Sequence, residues 1–257
     1  MSSNDSIRKT LTVAFLLCIV CSVIVSTAAV VLKPAQEANK ALDQKRNILA
    51  AAGMLEEGRS VEEQFAAIDT RVVDLRTGRF TDDVDADDYD QRKAMKDAGA
   101  SDRLSKEEDT ASIFRREHYA LVYLVEGAGG SVDKVILPIR GAGLWGQMYG
   151  FIALEGDANT VAGLGFYEHK ETPGLGGEVD NPRWKGLWPG KQVYRQGDVA
   201  IDVIKGSVNP SAPDAEYRVD GLAGATLTTR GVSNLVQFWL GENGFEPFLN
   251  NLKSGEA

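Results

Sequence analysis

Chemistry concentrates in one stretch of this sequence, Asp220-Gly221-Leu222-Ala223-Gly224-Ala225-Thr226-Leu227-Thr228-Thr229-Arg230-Gly231. Small residues crowd a turn, hydroxyls follow, and an amphipathic run over 232–240 begins at once. Glycines let a backbone pass close to a ligand. The N–H groups of a first helical turn have no intrahelical acceptor and favour an anion, commonly a phosphate. Thr226 presents a hydroxyl beside that anion site. A capped helix preceded by turn glycines would use the same residue types, so physics alone leaves both readings standing.

Two more glycine-rich clusters could share a pocket with it. Gly141-Ala142-Gly143-Leu144-Trp145-Gly146-Gln147-Met148-Tyr149-Gly150 suits a loop laid flat against a planar ligand, with Leu144 or Trp145 on a ring. A pair of strand turns around one core tryptophan is equally compatible. Glu168-His169-Lys170-Glu171-Thr172-Pro173-Gly174-Leu175-Gly176-Gly177-Glu178 sets acidic, basic and hydroxyl groups beside a Pro-Gly turn, so Glu171 or Thr172 could meet a ligand's polar edge. His118 and His169 are the only histidines. Neither has a serine or cysteine partner at a recognisable spacing, and no HExxH-type set occurs, so a hydrolase and a zinc site are both disfavoured. His169 reads as a partly exposed loop residue.

The elements that must carry these loops follow from the pattern of the chain. Residues 11–32 are apolar or small and uncharged, enough to span a bilayer of about 30 Å, and Lys33-Pro34 closes the run. A cleaved signal peptide is the rival, though its apolar region runs to only about 7–15 residues, so a retained anchor is favoured. Arg8 and Lys9 favour a cytoplasmic N-terminus, while Lys33, Lys40, Lys45 and Arg46 beyond the span dilute the asymmetry. Cys18 and Cys21, the only cysteines, fall inside this run as apolar filler, so the rest of the chain holds no thiol-ligated metal. A helix is expected over 35–52 and a short one over 61–67. The carboxylates Asp82, Asp83, Asp85, Asp87, Asp88 and Asp90 lack the glycine and terminal glutamate of a calcium loop, and read as a solvated acidic loop.

From residue 111 short β-branched and aromatic runs alternate with glycine turns, giving strands over 119–125, 134–139, 149–154, 160–167 and 199–204. A helix over 232–252, broken near 241–244, closes the chain. No strand–helix–strand alternation occurs, which disfavours a parallel nucleotide-binding sheet. The expected fold is α+β: an N-terminal transmembrane helix (1–33), a juxtamembrane helical segment with the acidic loop (34–110), and a mostly antiparallel sheet with flanking helices (111–257). The composition, 43% hydrophobic and 25% charged over 257 residues, suits a well-cored globular protein, and the net charge of −9 argues against nucleic acid.

Asp220-x-x-Ala223-Gly224-Ala225-Thr226 is similar to the flavinylation motif D-x-x-(S/T)-G-A-T, whose last threonine carries FMN through a phosphoester. Gly143-Leu144-Trp145-Gly146, Glu171-Thr172-Pro173-Gly174-Leu175-Gly176 and the juxtamembrane Gln36-x-x-Asn39-Lys40-x-Leu42-Asp43 resemble further signatures of the same family. The chain is thus similar to the NqrC family of the bacterial Na+-translocating NADH:quinone reductases, with the G component of the related Rnf complex as the shorter alternative. The resemblance implies an FMN-binding domain with Thr226 as the covalent acceptor and Asp220 as the motif acid. Gly224 and Ala225 would line the phosphate turn, with Leu144, Trp145, Glu171, Thr172 and Leu175 against the ring. Lys205, beside a flavin's pyrimidine edge, would stabilise its reduced anion; an exposed strand-end lysine is the plain alternative. Ala223 departs from the family's Ser or Thr.

The function so implied is an electron relay in the bacterial inner membrane, with the soluble part on the periplasmic side. FMN is loaded by a flavin transferase, and the other subunits of the sodium-pumping complex handle NADH, quinone and Na+. No NADH site is expected, since no G-x-G-x-x-G follows a strand to open a helix. The rival from another class is an anchored, non-redox protein binding a small anionic ligand non-covalently.

Overall fold

The computed structural model describes residues 6–127 and 129–257. The chain divides into two compact units, one ending at Gln44 and the other spanning Lys45–Ala257.

Helix α1 (Ile7–Ala51) has 45 residues, about 68 Å at 1.5 Å per residue. Leu11, Phe15, Leu17 and Ile24 are all exposed. Among the described residues it is the one helix long and apolar enough to cross a membrane. The apolar run ends at Lys33 as expected, but the helix continues through Pro34 instead of restarting after it. A mid-helix proline removes one hydrogen bond and crowds the preceding turn. Good helix formers on its C-terminal side (Ala35, Gln36, Glu37) carry the helix past it.

The second unit is built on a twisted sheet. Its elements in order are α2 (Val61–Phe65), β1 (Ile68–Asp74), β2 (Arg79–Phe80), α3 (Gln91–Ala94), β3 (Ser101–Arg103), β4 (Arg115–Glu117), β5 (Tyr119–Glu126), β6 (Val132–Ala142), β7 (Gln147–Glu155), β8 (Val161–Glu168), α4 (Pro182–Lys185), β9 (Tyr194–Arg195), β10 (Asp198–Val199), β11 (Asp202–Val203), β12 (Arg218–Val219), α5 (Thr226–Leu240) and α6 (Glu246–Ser254). The main sheet runs β2-β1-β5-β6-β7-β8, with every neighbouring pair antiparallel. β11 and β12 form a separate parallel pair leading into the Asp220 loop. The strand expected over 199–204 is interrupted, because the N–H groups of Ala200 and Ile201 turn to the Val193 carbonyl.

Both faces of the sheet are covered, which is why its strands read as almost continuous apolar runs. Val122, Leu124, Val135, Leu137, Ile152 and Leu154 share a core with Leu235, Val236 and Trp239 of α5 and Phe248 of α6. Their sequence neighbours Tyr123, Val125, Ile136, Phe151 and Ala153 pack instead with Ile48, Leu49, Ala51 and Ala52 at the end of α1. The period-two alternation of a strand sorts one run of residues into two cores. Burying Ile48 and Leu49 contributes about 1.5–3 kcal/mol each relative to exposure. The last turns of α1 are therefore part of the sheet unit's second core. Gly163 of β8 makes room for them, since a Cβ there would sit 2.4 Å from the Ala51 carbonyl oxygen.

α5 crosses the sheet at β6, and two glycines set how closely. A Cβ on Gly141 would lie 2.5 Å from Leu235 Cβ, and one on Gly231 would lie 2.4 Å from the Ala142 carbonyl oxygen. Trp239 Nε1 donates to the Arg140 carbonyl at 2.7 Å and locks the crossing. The N-terminus of α5 is thereby delivered to the end of β6, beside the loop that holds Leu144 and Trp145.

Candidate functional site

Helix α5 begins at Thr226 itself, earlier than the amphipathic run at 232. Ala225 occupies the cap position and supplies no side-chain hydrogen bond. The first helical bond runs from Thr229 N to Ala225 O at 2.9 Å, and the N–H groups of Thr226, Leu227 and Thr228 find no acceptor among the described residues. Three convergent donors at the positive end of a helix dipole form an anion cradle. Thr226 is exposed at its lip.

The turn before the helix is fixed by hydrogen bonds that leave the cradle open. Thr229 Oγ1 reaches back to accept from Leu222 N at 3.0 Å, which ties the preceding turn to the helix and leaves the helix's own first N–H groups free. Gly221 N donates to Gly206 O at 2.8 Å. Asp220 Oδ1 accepts from Val208 N at 2.8 Å, and its carbonyl accepts from Trp184 Nε1 at 2.8 Å. Asp220 therefore anchors the loop to residues 206–208 and α4. Gly224 has φ +74°, a left-handed conformation that glycine adopts without strain. A Cβ there would come 3.0 Å from Leu175 Cδ2, which places Leu175 directly against the turn.

Glu171 joins the three glycine-rich stretches. It is 5% exposed. Oε1 accepts from Trp145 N at 2.9 Å, and Oε2 accepts from Thr228 Oγ1 at 2.5 Å. A buried carboxylate needs such charge-assisted donors to offset its lost hydration. Gly143 and Gly176 press on the same group, with would-be Cβ atoms 2.5 Å from Oε1 and 2.6 Å from Oε2 respectively. Thr172 Oγ1 accepts from Trp145 Nε1 at 3.1 Å, which orients the indole. Loop 143–146, loop 171–176 and the first turn of α5 are thus one hydrogen-bonded cluster.

Around this polar hub the surface is apolar. Trp145 is 63% exposed, and Leu144, Leu175 and Leu227 are also exposed. Large hydrophobic side chains grouped in solvent beside an anion cradle suit a planar aromatic ligand bearing a phosphate. Lys205 is exposed, and only its neighbour Gly206 is tied to the motif loop, through Gly221. No contact joins the Lys205 side chain to the Glu171 cluster. Two participants were not singled out from the sequence. Thr228, 1% exposed, and Thr229, 4% exposed, read only as a hydroxyl run. The signal for both lay in their places in the first turn of α5, where a hydroxyl can turn inward.

Comparison with known proteins agrees with this geometry. Residues 143–241, which hold the whole cluster, match the family model of the FMN-binding domain. Over 262 aligned residues the chain is 56% identical to the C subunit of the Na(+)-translocating NADH-quinone reductase of Pseudomonas aeruginosa, covering 100% of both chains. The chain belongs to the NqrC family of these reductases. The C subunit of the Vibrio alginolyticus reductase is 51% identical over 258 residues, covering 99% of this chain and 98% of that one. The crystal structure of Shewanella oneidensis NqrC superimposes with a TM-score of 0.77 at 36% identity, over 84% of this chain and 99% of that one. The structure of the corresponding Parabacteroides distasonis protein gives a TM-score of 0.65 at 27% identity, over 85% and 96%. The fold expected from the pattern of the chain, an N-terminal apolar helix followed by a mostly antiparallel sheet with flanking helices, is the one observed.

The residues present fit FMN. Unpaired helical N–H groups await a phosphate, the Cβ-free Gly224 turn leaves space beside Leu175, and Leu144, Trp145 and Leu227 offer apolar surface for a ring.

Proposed function

We propose that this chain is the covalently flavinylated electron-transfer subunit of a membrane-bound, sodium-pumping NADH:quinone oxidoreductase, with FMN held through a phosphoester to Thr226. The observation that carries this reading is the exposed Thr226 hydroxyl beside three unpaired helical N–H groups and an exposed apolar rim. Bound FMN would supply the one-electron redox chemistry.

The protein's own residues do the rest. Thr226 Oγ1 would hold FMN through its phosphate, an ester that a flavin transferase would form from FAD with release of AMP and the hydroxyl proton. The N–H groups of Thr226, Leu227 and Thr228 neutralise part of the resulting phosphodiester charge, and Arg230, one helical turn along, adds to this. Glu171 keeps the Trp145 loop and α5 in register, so the ring's walls stand ready without reorganisation. Leu144, Trp145, Leu175 and Leu227 would offer the ring an apolar wall that keeps water from it. Asp220 holds the turn, and Lys205, on the adjoining loop, contributes positive charge near the reduced ring.

α1 anchors the chain in the inner membrane, with the flavin domain on the periplasmic side and the remaining subunits of the complex as electron partners. The test is intact-protein mass after denaturation, on full-length chain produced with its flavin transferase. A gain of one FMN less water, mapping to the peptide holding Thr226, supports the relay. An unmodified mass would sink it and move a non-covalent anion-binding role to first place.

A further inference from the structure

The loop from Glu171 to Asp180 carries Thr172 and Leu175, and it is closed at its base by a histidine that the electron relay does not use. His169 Nε2 lies 2.7 Å from Asp180 Oδ2, and the Glu171 N–H points at His169 Nδ1 with a separation of 3.1 Å. An N–H can approach Nδ1 in this way only if that nitrogen presents a lone pair. In the tautomer that uses both contacts, Nδ1 accepts from the Glu171 N–H and Nε2 donates to the Asp180 carboxylate. The side chain is 15% exposed while that of Asp180 is half in solvent, so the ring is lodged between the two ends of the loop. Asp180 ends the short 3-10 helix over Gly176–Asp180, whose first residue lies against the Glu171 carboxylate and the Thr228 hydroxyl. One imidazole thus ties the start of the loop to its end, and the tie lands on the main chain of the residue whose carboxylate bridges Trp145 and Thr228.

We propose that His169 is a positioning residue of this site: clasped to Asp180, it fixes the Glu171 main chain and so aims the carboxylate that holds the Trp145 loop to the first turn of α5. What the clasp is for rests on the flavin reading; that the clasp sets the loop does not. Without it, Glu171 would have to find its two donors from a loop free to swing, and ordering that loop costs conformational entropy at each loading event.

Two readouts on the full-length chain separate these points. The first is hydrogen–deuterium exchange of the Glu171 and Trp145 amides in flavin-free protein. The second is the initial rate of covalent FMN incorporation with flavin transferase and FAD. His169→Ala is expected to speed exchange at both amides about tenfold, one hydrogen bond's worth, and to slow FMN incorporation several-fold. His169→Asn places Oδ1 where Nδ1 stood but cannot reach Asp180, so it should recover part of the protection at the Glu171 amide, whereas a merely space-filling role would not distinguish Asn from Ala. His169→Gln, which keeps only a donor towards Asp180, should resemble Ala at Glu171. Exchange in His169→Ala within twofold of wild type, or Asn as fast as Ala, overturns the proposal. If the wild type takes up no FMN, the relay reading fails while the exchange arm still decides the clasp.

Discussion

Thr228→Val is the perturbation that most directly interrogates the Glu171 hub. Valine has threonine's shape and keeps the β-branch, so it fills the same 1%-exposed space and leaves α5 geometrically intact. What it removes is the 2.5 Å donor to Glu171 Oε2. A hydrogen bond to a charged acceptor contributes about 1.5–3 kcal/mol, and the orphaned oxygen is itself buried, so a loss near 2 kcal/mol is expected. For a unit of this size each kcal/mol moves Tm by about 2–4 °C, giving a drop of about 4–8 °C. Glu171→Gln should cost less, since its carbonyl can serve Trp145 N while its amide donates to a rotated Thr228 hydroxyl. The double variant should fall short of the sum by about 1 kcal/mol, the margin by which a bond to a charged acceptor exceeds one between neutral groups. The assay is chemical denaturation of detergent-solubilised full-length chain, followed by tryptophan fluorescence, with the four proteins compared at equal m-value. A coupling energy within about 0.5 kcal/mol of zero would refute the hub, because it would mean the hydroxyl and the carboxylate act on stability independently.

Three further outcomes follow from the same geometry. Thr226→Val should abolish covalent FMN entirely while shifting Tm by less than about 1 °C, since the side chain is exposed and unbonded; retention of flavin on that variant after denaturation would exclude Thr226 as acceptor. Gly224→Ala forces a Cβ into a φ of +74° and to 3.0 Å from Leu175 Cδ2. It should destabilise by about 1–2 kcal/mol and slow FMN loading, and unaltered loading would show that the turn is not part of the cradle. Asp157 is pushed up by burial but held, on balance, below its ordinary 3.8 by the Thr160 hydroxyl and the Thr160 and Asn159 N–H groups. Its contribution to stability is therefore complete above pH 3.8 and is lost as pH falls through the lower folded value. Asp157→Asn should flatten the acid limb of the stability curve below pH 4, and an unchanged limb would remove this carboxylate from the account.

How much was legible depended on whether a residue's role was local or reached across the fold. Strand positions such as 119–125 and 149–154 announced themselves because both faces of the sheet are buried, leaving almost no polar interruptions. The start of α5 at Thr226 was hidden because Ala225 offers no capping side chain, and the Thr229 hydroxyl is spent on the preceding turn. Pro34 signalled a break that the flanking helix formers override. The glycines told where backbones approach, but not which. Gly141 and Gly231 are 90 positions apart in sequence, and only the fold shows them admitting one helix to one strand. Glu171 could be noticed among its neighbours, yet its partners lie 26 and 57 residues away, a reach that no spacing rule covers. The same holds for its main chain, which His169 secures from two residues upstream through a ring anchored eleven residues downstream. Local chemistry names the loops of such a site. What makes them one site is a single buried carboxylate with donors from two of them and a glycine from each of two pressed against it, and replacing either glycine by alanine should loosen all three loops together.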